Sequence, residues 1–118
     1  MKTEKFNVIL ENTLNKCAQT LSVKADEYAT EDRLHNFKVA AQLQNCTPIT
    51  ALAGMMAKHT VSVYDLIQKY EQGIAVPLEM WWEKIGDSIN YLILLSALIQ
   101  EHIDEEIASW EGECSESL

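Results

Sequence analysis

The chain has 118 residues, 47% of them apolar, and a net charge of −9 from 18 acids against nine Lys and Arg. That length supports one domain around a single hydrophobic core, and the longest unbroken apolar run, Tyr91–Leu95, is far short of the ~20 residues of a membrane span. No basic patch suits duplex nucleic acid, no apolar signal region follows the N-terminal charges, and three cysteines without a C-x-x-C pair read as free thiols, so a soluble cytoplasmic protein is expected.

The pattern is helical throughout, with two prolines, four glycines and no stretch of strand-like alternation. The first helix is expected over about Glu4–Ala29, with Phe6, Leu10, Leu14, Cys17, Leu21 and Tyr28 on one face. Thr30–Asn36 reads as a loop leading into a short helix around Leu34–Leu43. Thr47 and Pro48 suit an N-cap and first turn, so a third helix should run from there to about Glu71, with Gly73 ending it. Pro77 opens a fourth helix reaching roughly Ser109. A straight helix of ~30 residues would span about 45 Å, so a bend or an early end is expected. The fold class is therefore all-α, an antiparallel bundle of three long helices and one short one over residues 1–109. Residues 104–118 carry six acids and no Lys or Arg, and 110–118 reads as a frayed, solvated tail.

The strongest chemical signal is Glu83, Asp87 and Asn90, at i, i+4 and i+7 of the fourth helix. Leu94 and Leu98 continue that stripe, which points the carboxylates and the amide inward, where they need partners. On the first helix Lys24 lies within the apolar face, reaching out to water or meeting an internal anion, and Glu27 lies on the edge of the same face. The third helix offers a polar stripe of Lys58, Ser62 and Asp65, with His59 inside the apolar arc as either a core histidine or a functional one. In the loop, Arg33 has the planar fork that matches phosphate, and Asn36 and His35 could contact a base or sugar, although capping is the plainer role for Asp32 and Asn36. Carboxylates between bundle helices suit Mg²⁺, and nearby bases suit the phosphates it bridges. The same residues would also serve as an internal ion-pair network. The adjacent Trp81 and Trp82 point about 100° apart and cannot both enter one core face, which predicts a homodimer or larger homo-oligomer.

Glu83-Lys-Ile-Gly-Asp87-Ser-Ile-Asn90-Tyr-Leu resembles the E-x-x-D helix of the all-α nucleoside triphosphate pyrophosphohydrolases, the MazG and dimeric dUTPase group. The wider set Lys24-x-x-Glu27-Tyr28, Asp32-Arg33-Leu-x-Asn36-Phe37, Lys58-His59-x-x-Ser62-x-x-Asp65 and Asp87-x-x-Asn90-Tyr91 also looks like small phage and prophage proteins linked to that superfamily. The resemblance implies a MazG-like fold and a nucleotide-binding, Mg²⁺-dependent pyrophosphohydrolase-like protein of phage or prophage origin, working in the host cytoplasm. Glu27, Asp65, Glu83 and Asp87 would then hold metal, with Glu27 and Asp87 central to catalysis. Lys24, Arg33, Asn36, Lys58, His59 and Asn90 would bind substrate or phosphate. Where the family has a glutamate three residues before the aspartate this chain has Lys84, with Glu83 one place off. That departure gives the alternative expectation, a non-catalytic phage protein that keeps the bundle and binds a host protein or a nucleotide signal.

Overall fold

The computed structural model describes residues 1–28 and 31–116 and, of residues 25–28 and 113–116, the backbone alone. Four helices follow in chain order: α1 (Thr3–Tyr28), α2 (His35–Gln44), α3 (Pro48–Glu71) and α4 (Leu78–Glu116), with no strand among the described residues. No helix among those residues is long and apolar enough to cross a membrane.

The helix boundaries have local causes. Asp32 accepts from the Leu34 N–H at 3.0 Å and so turns the chain into α2. The left-handed Asn45 (φ 53°) closes that helix, and its N–H donates back to Ala41 and Gln42. Thr47 adopts an extended backbone and accepts from the Thr50 N–H at 3.1 Å, with Pro48 in the first turn of α3. Gly73, at φ 77°, takes a conformation that a β-carbon would strain, and α3 ends there.

The expected early end of the fourth helix does not occur. Its 39 residues continue past Ser109 to Glu116, so the segment expected to be frayed is helical over 110–116. At 1.5 Å per residue that is about 58 Å of helix, most of the molecule's 66 Å long axis. The sequence from Tyr91 onward has neither proline nor a cap before Gly112, and nothing local interrupts it.

Tertiary packing is lopsided. α3 runs antiparallel to α4, with Ile49 near Leu98, His59 at Asp87 and Tyr91, and Tyr70 edge-on to Trp81 at 6.5 Å. α2 lies on α3 and reaches α4 through side chains: Phe37 meets Tyr91 edge-on at 6.5 Å, and Lys38 bonds Asp32 and Glu101, each at 2.6 Å. The core is Leu34, Phe37, Leu52 and Leu98, with Met55, Leu94 and others against it. Among the described residues α1 packs its backbone against α4 alone. Its expected apolar face is covered at Cys17, while Phe6, Leu10 and Leu14 remain about half exposed. The bundle is therefore open on the α1 side.

Candidate functional site

A cleft of about 950 Å³ lies between α1 and the first half of α4. Cys17 sets its depth. The small thiol is buried and sits 3.9 Å from the Gly86 carbonyl, where the two helices meet. Burial, and secondarily the charge of Asp87, pushes that thiol above its usual range, so it stays protonated.

Glu83, Asp87 and Asn90 all line this cleft, as one helical stripe requires. Burial deepens along the stripe: Glu83 is exposed, Asp87 half-buried and Asn90 buried at 6% exposure. The expectation of a stripe buried along its whole length thus holds only for its C-terminal end. Asn90 Oδ1 has no hydrogen-bond partner, nor does the buried Ser88 Oγ two residues earlier. A buried amide oxygen left unpaired costs about 1–3 kcal/mol, which marks the cleft floor as a place built to meet a donor or a cation.

Asp87 also faces α3. His59 Nδ1 lies 3.5 Å from Asp87 Oδ2, and the imidazole stacks on Tyr91 at 4.7 Å between centroids. His59 and Lys58 line a second, smaller hollow of about 460 Å³ together with Tyr91. Asp87 therefore connects the two hollows.

The other sequence candidates lie apart. Arg33, Asn36 and Asp65 line neither hollow, and Asp65 is exposed on α3. Lys24 is exposed near the end of α1. The side chain of Glu27 falls outside the described residues. Among the described residues no group of three His, Cys, Asp or Glu is placed to hold a metal ion; Glu83 and Asp87 line the cleft and Asp65 does not.

Lys16 and Thr20, which the sequence did not single out, line the cleft. Lys16 Nζ stands 3.4 Å above the Trp82 ring, a cation–π contact that fixes the ammonium at the cleft wall. Thr20 and Trp81 complete the surface. A lysine next to an apolar helix face and a tryptophan pair were both visible in the sequence, but nothing in it set Lys16 opposite Trp82.

The acids Glu79, Glu83 and Asp87 outnumber the single cation Lys16 here. Oxygen donors of two carboxylates and one amide suit a hard divalent cation. Mg²⁺ in particular is commonly held by one or two carboxylates with its remaining sites filled by water and substrate phosphates. The donor set fits a cation that arrives on a phosphate better than one caged by protein. Compared with known proteins, the chain matches no family model, no curated protein and no solved structure.

Proposed function

We propose that the α1–α4 cleft binds a nucleotide together with Mg²⁺, in the manner of a pyrophosphohydrolase-like protein. The observation that carries this reading is the buried, unpartnered Asn90 Oδ1 at the inner end of the Glu83–Asp87 stripe. A hollow of this size also suits a ligand of nucleotide dimensions.

Each residue has a role set by its position. Lys16, held over the face of Trp82, offers an ammonium for a phosphate oxygen. Glu83 and Asp87 would hold the metal, with the Asn90 amide oxygen below them. A bound Mg²⁺ supplies Lewis-acid charge that neutralises phosphate oxygens and acidifies a bound water. His59, in contact with Asp87 Oδ2, restrains that carboxylate and fixes its direction. Without the metal, the acidic walls repel a bare polyphosphate, so binding should require Mg²⁺.

Thermal-shift titration of nucleoside di- and triphosphates with and without Mg²⁺ tests this, comparing the native chain with Asp87→Asn. Stabilisation only in the presence of Mg²⁺, lost in the variant, is expected. A shift that survives Asp87→Asn would place any nucleotide elsewhere. Pyrophosphate release is the next assay for a cleft that passes.

A second reading, a non-catalytic binding protein that engages a host protein or a nucleotide signal, is favoured by a different observation. The side chains of Phe6, Leu92, Ile107 and Trp110 are each half or more exposed, which is the surface of a protein that meets another. Self-association into a homodimer or larger assembly belongs to both readings for the same reason.

A further inference from the structure

The monomer is too open for its mass. A compact chain of 13.4 kDa exposes ~6,500 Å², whereas this one exposes 8923 Å². Its radius of gyration is 18.7 Å against about 13.5 Å for a compact domain of this length. Part of the exposed apolar surface lies in two neighbouring lines along α4. Leu78, Ile85, Leu92 and Ile99 recur every seven residues, and Trp82, Ile89, Ser96, Ile103 and Trp110 recur every seven on the neighbouring line. The two lines alternate at spacings of four and three, the seam of a coiled coil, sustained over more than four heptads. Apart from Ser96, which is polar, and Ile89, which is half-buried, every member named is apolar and between 40% and 66% exposed.

We propose that α4 pairs through this seam with α4 of a second copy, antiparallel, into a dimer whose partner closes the cleft. The proposal rests on the self-association stated above but not on the nucleotide. One observation favours a second copy and two favour this orientation. The surplus surface of about 2,400 Å² per chain, doubled, falls within the ~2,000–5,000 Å² that obligate dimers bury. A parallel pairing would place the six acids of residues 104–118 of each chain side by side, and an antiparallel one sends them to opposite ends. Finally, antiparallel pairing with the seam ends matched, Leu78 against Trp110, sets Glu106 opposite Trp82. Glu106 is the one acid on the first line between Leu78 and Trp110, and the Trp82 ring already carries the Lys16 ammonium at 3.4 Å. The charged position of the seam, which within the chain pairs only with the exposed His102 at 3.1 Å among the described residues, thus meets the ammonium lining the cleft.

Light scattering on the eluting full-length protein at micromolar concentration tests this, with helix content read in parallel by circular dichroism. The native chain should run at twice 13.4 kDa. Leu92→Glu and Ile99→Glu alter side chains already in water in the monomer, so they should keep their helicity and run as monomers, while Val61→Glu on the exposed outer face of α3 should remain dimeric. Lys16→Glu and Glu106→Lys should each weaken association several-fold, and the two together should restore it. A monomeric native chain would overturn both the self-association and the seam. A dimer indifferent to Leu92→Glu and Ile99→Glu would overturn the seam alone, and a species larger than a dimer would overturn the two-copy assembly. Failure of the double charge reversal to restore association would overturn the antiparallel register. None of these outcomes depends on nucleotide, so the cleft reading stands or falls separately.

Discussion

Replacing Asn90 by leucine should make the protein more stable while destroying the proposed site. The amide is 6% exposed and its Oδ1 has no partner, so the native fold bears the desolvation cost of a bare carbonyl. Removing that group should recover about 1–3 kcal/mol, since leucine has as many side-chain heavy atoms as asparagine and the open cleft beside it gives its bulkier methyls room. An unfolding entropy of about 2.1 cal/mol/K per residue over 118 residues makes each kcal/mol worth about 4 °C in Tm. The variant should therefore melt about 4–12 °C higher. Because self-association would raise both melting points, the comparison needs equal protein concentrations, with urea denaturation as a second measure. The same variant should lose any Mg²⁺–nucleotide shift. A loss of stability of about 2 kcal/mol would mean that Oδ1 is satisfied in solution, and the argument that the cleft floor awaits a ligand would fail.

Three further substitutions or labelling experiments address the packing. Gly86→Ala should be tolerated and stabilise by about 1 kcal/mol through helix propensity, since its new methyl would meet Cys17 Sγ at an ordinary 3.9 Å; a loss of stability in urea melts would show that α1 packs more closely than described. Ellman's reagent at pH 8 should label the half-exposed Cys46 well before Cys17, whose burial and Asp87 neighbour raise its thiol pKa; equal rates would contradict the α1–α4 contact. Lys38 bonds Asp32 and Glu101, which holds its ammonium above the usual lysine range and the Asp32 carboxyl below the usual aspartate range, Lys38 being the main cause. The depressed Asp32 contributes stability above its unfolded pKa that is lost as pH falls through its folded value, and the raised Lys38 contributes below its unfolded pKa and is lost as pH rises through its folded value. Lys38→Met should accordingly destabilise at neutral pH, modestly because both groups are over a third exposed, and the difference should vanish in strong acid. A pH-independent difference in chemical denaturation would assign the effect to packing instead.

The helices were legible because their causes are local. The Thr47 cap, Pro48 in the first turn and Gly73 at positive φ are read from adjacent residues, and the structure has each in that role. The length of α4 was misjudged for the same reason in reverse: no cap or proline marks an end before Gly112, and the acidity of the tail does not by itself unwind a helix. The site was legible in part. Glu83, Asp87 and Asn90 share the cleft because helical spacing alone puts them on one stripe, and His59 reaches Asp87 from its apolar arc. Arg33, Asn36 and Asp65 looked equally suitable by type, yet they lie off the cleft.

The sequence by itself determined that this is an all-helical chain, which helix faces are apolar, and that two carboxylates and an amide project from one stripe, since each of these follows from a period of 3.6 residues. Which helices face one another was decided only by the tertiary structure. That α1 packs on α4, that Lys16 stands over Trp82, that Asn90 is buried without a partner and that Leu92 and Trp110 are left more than half exposed by the chain's own packing are all decided by residues far apart in the chain. Apolar attraction is non-directional, so a sequence says which faces must leave water but not which surface will cover them.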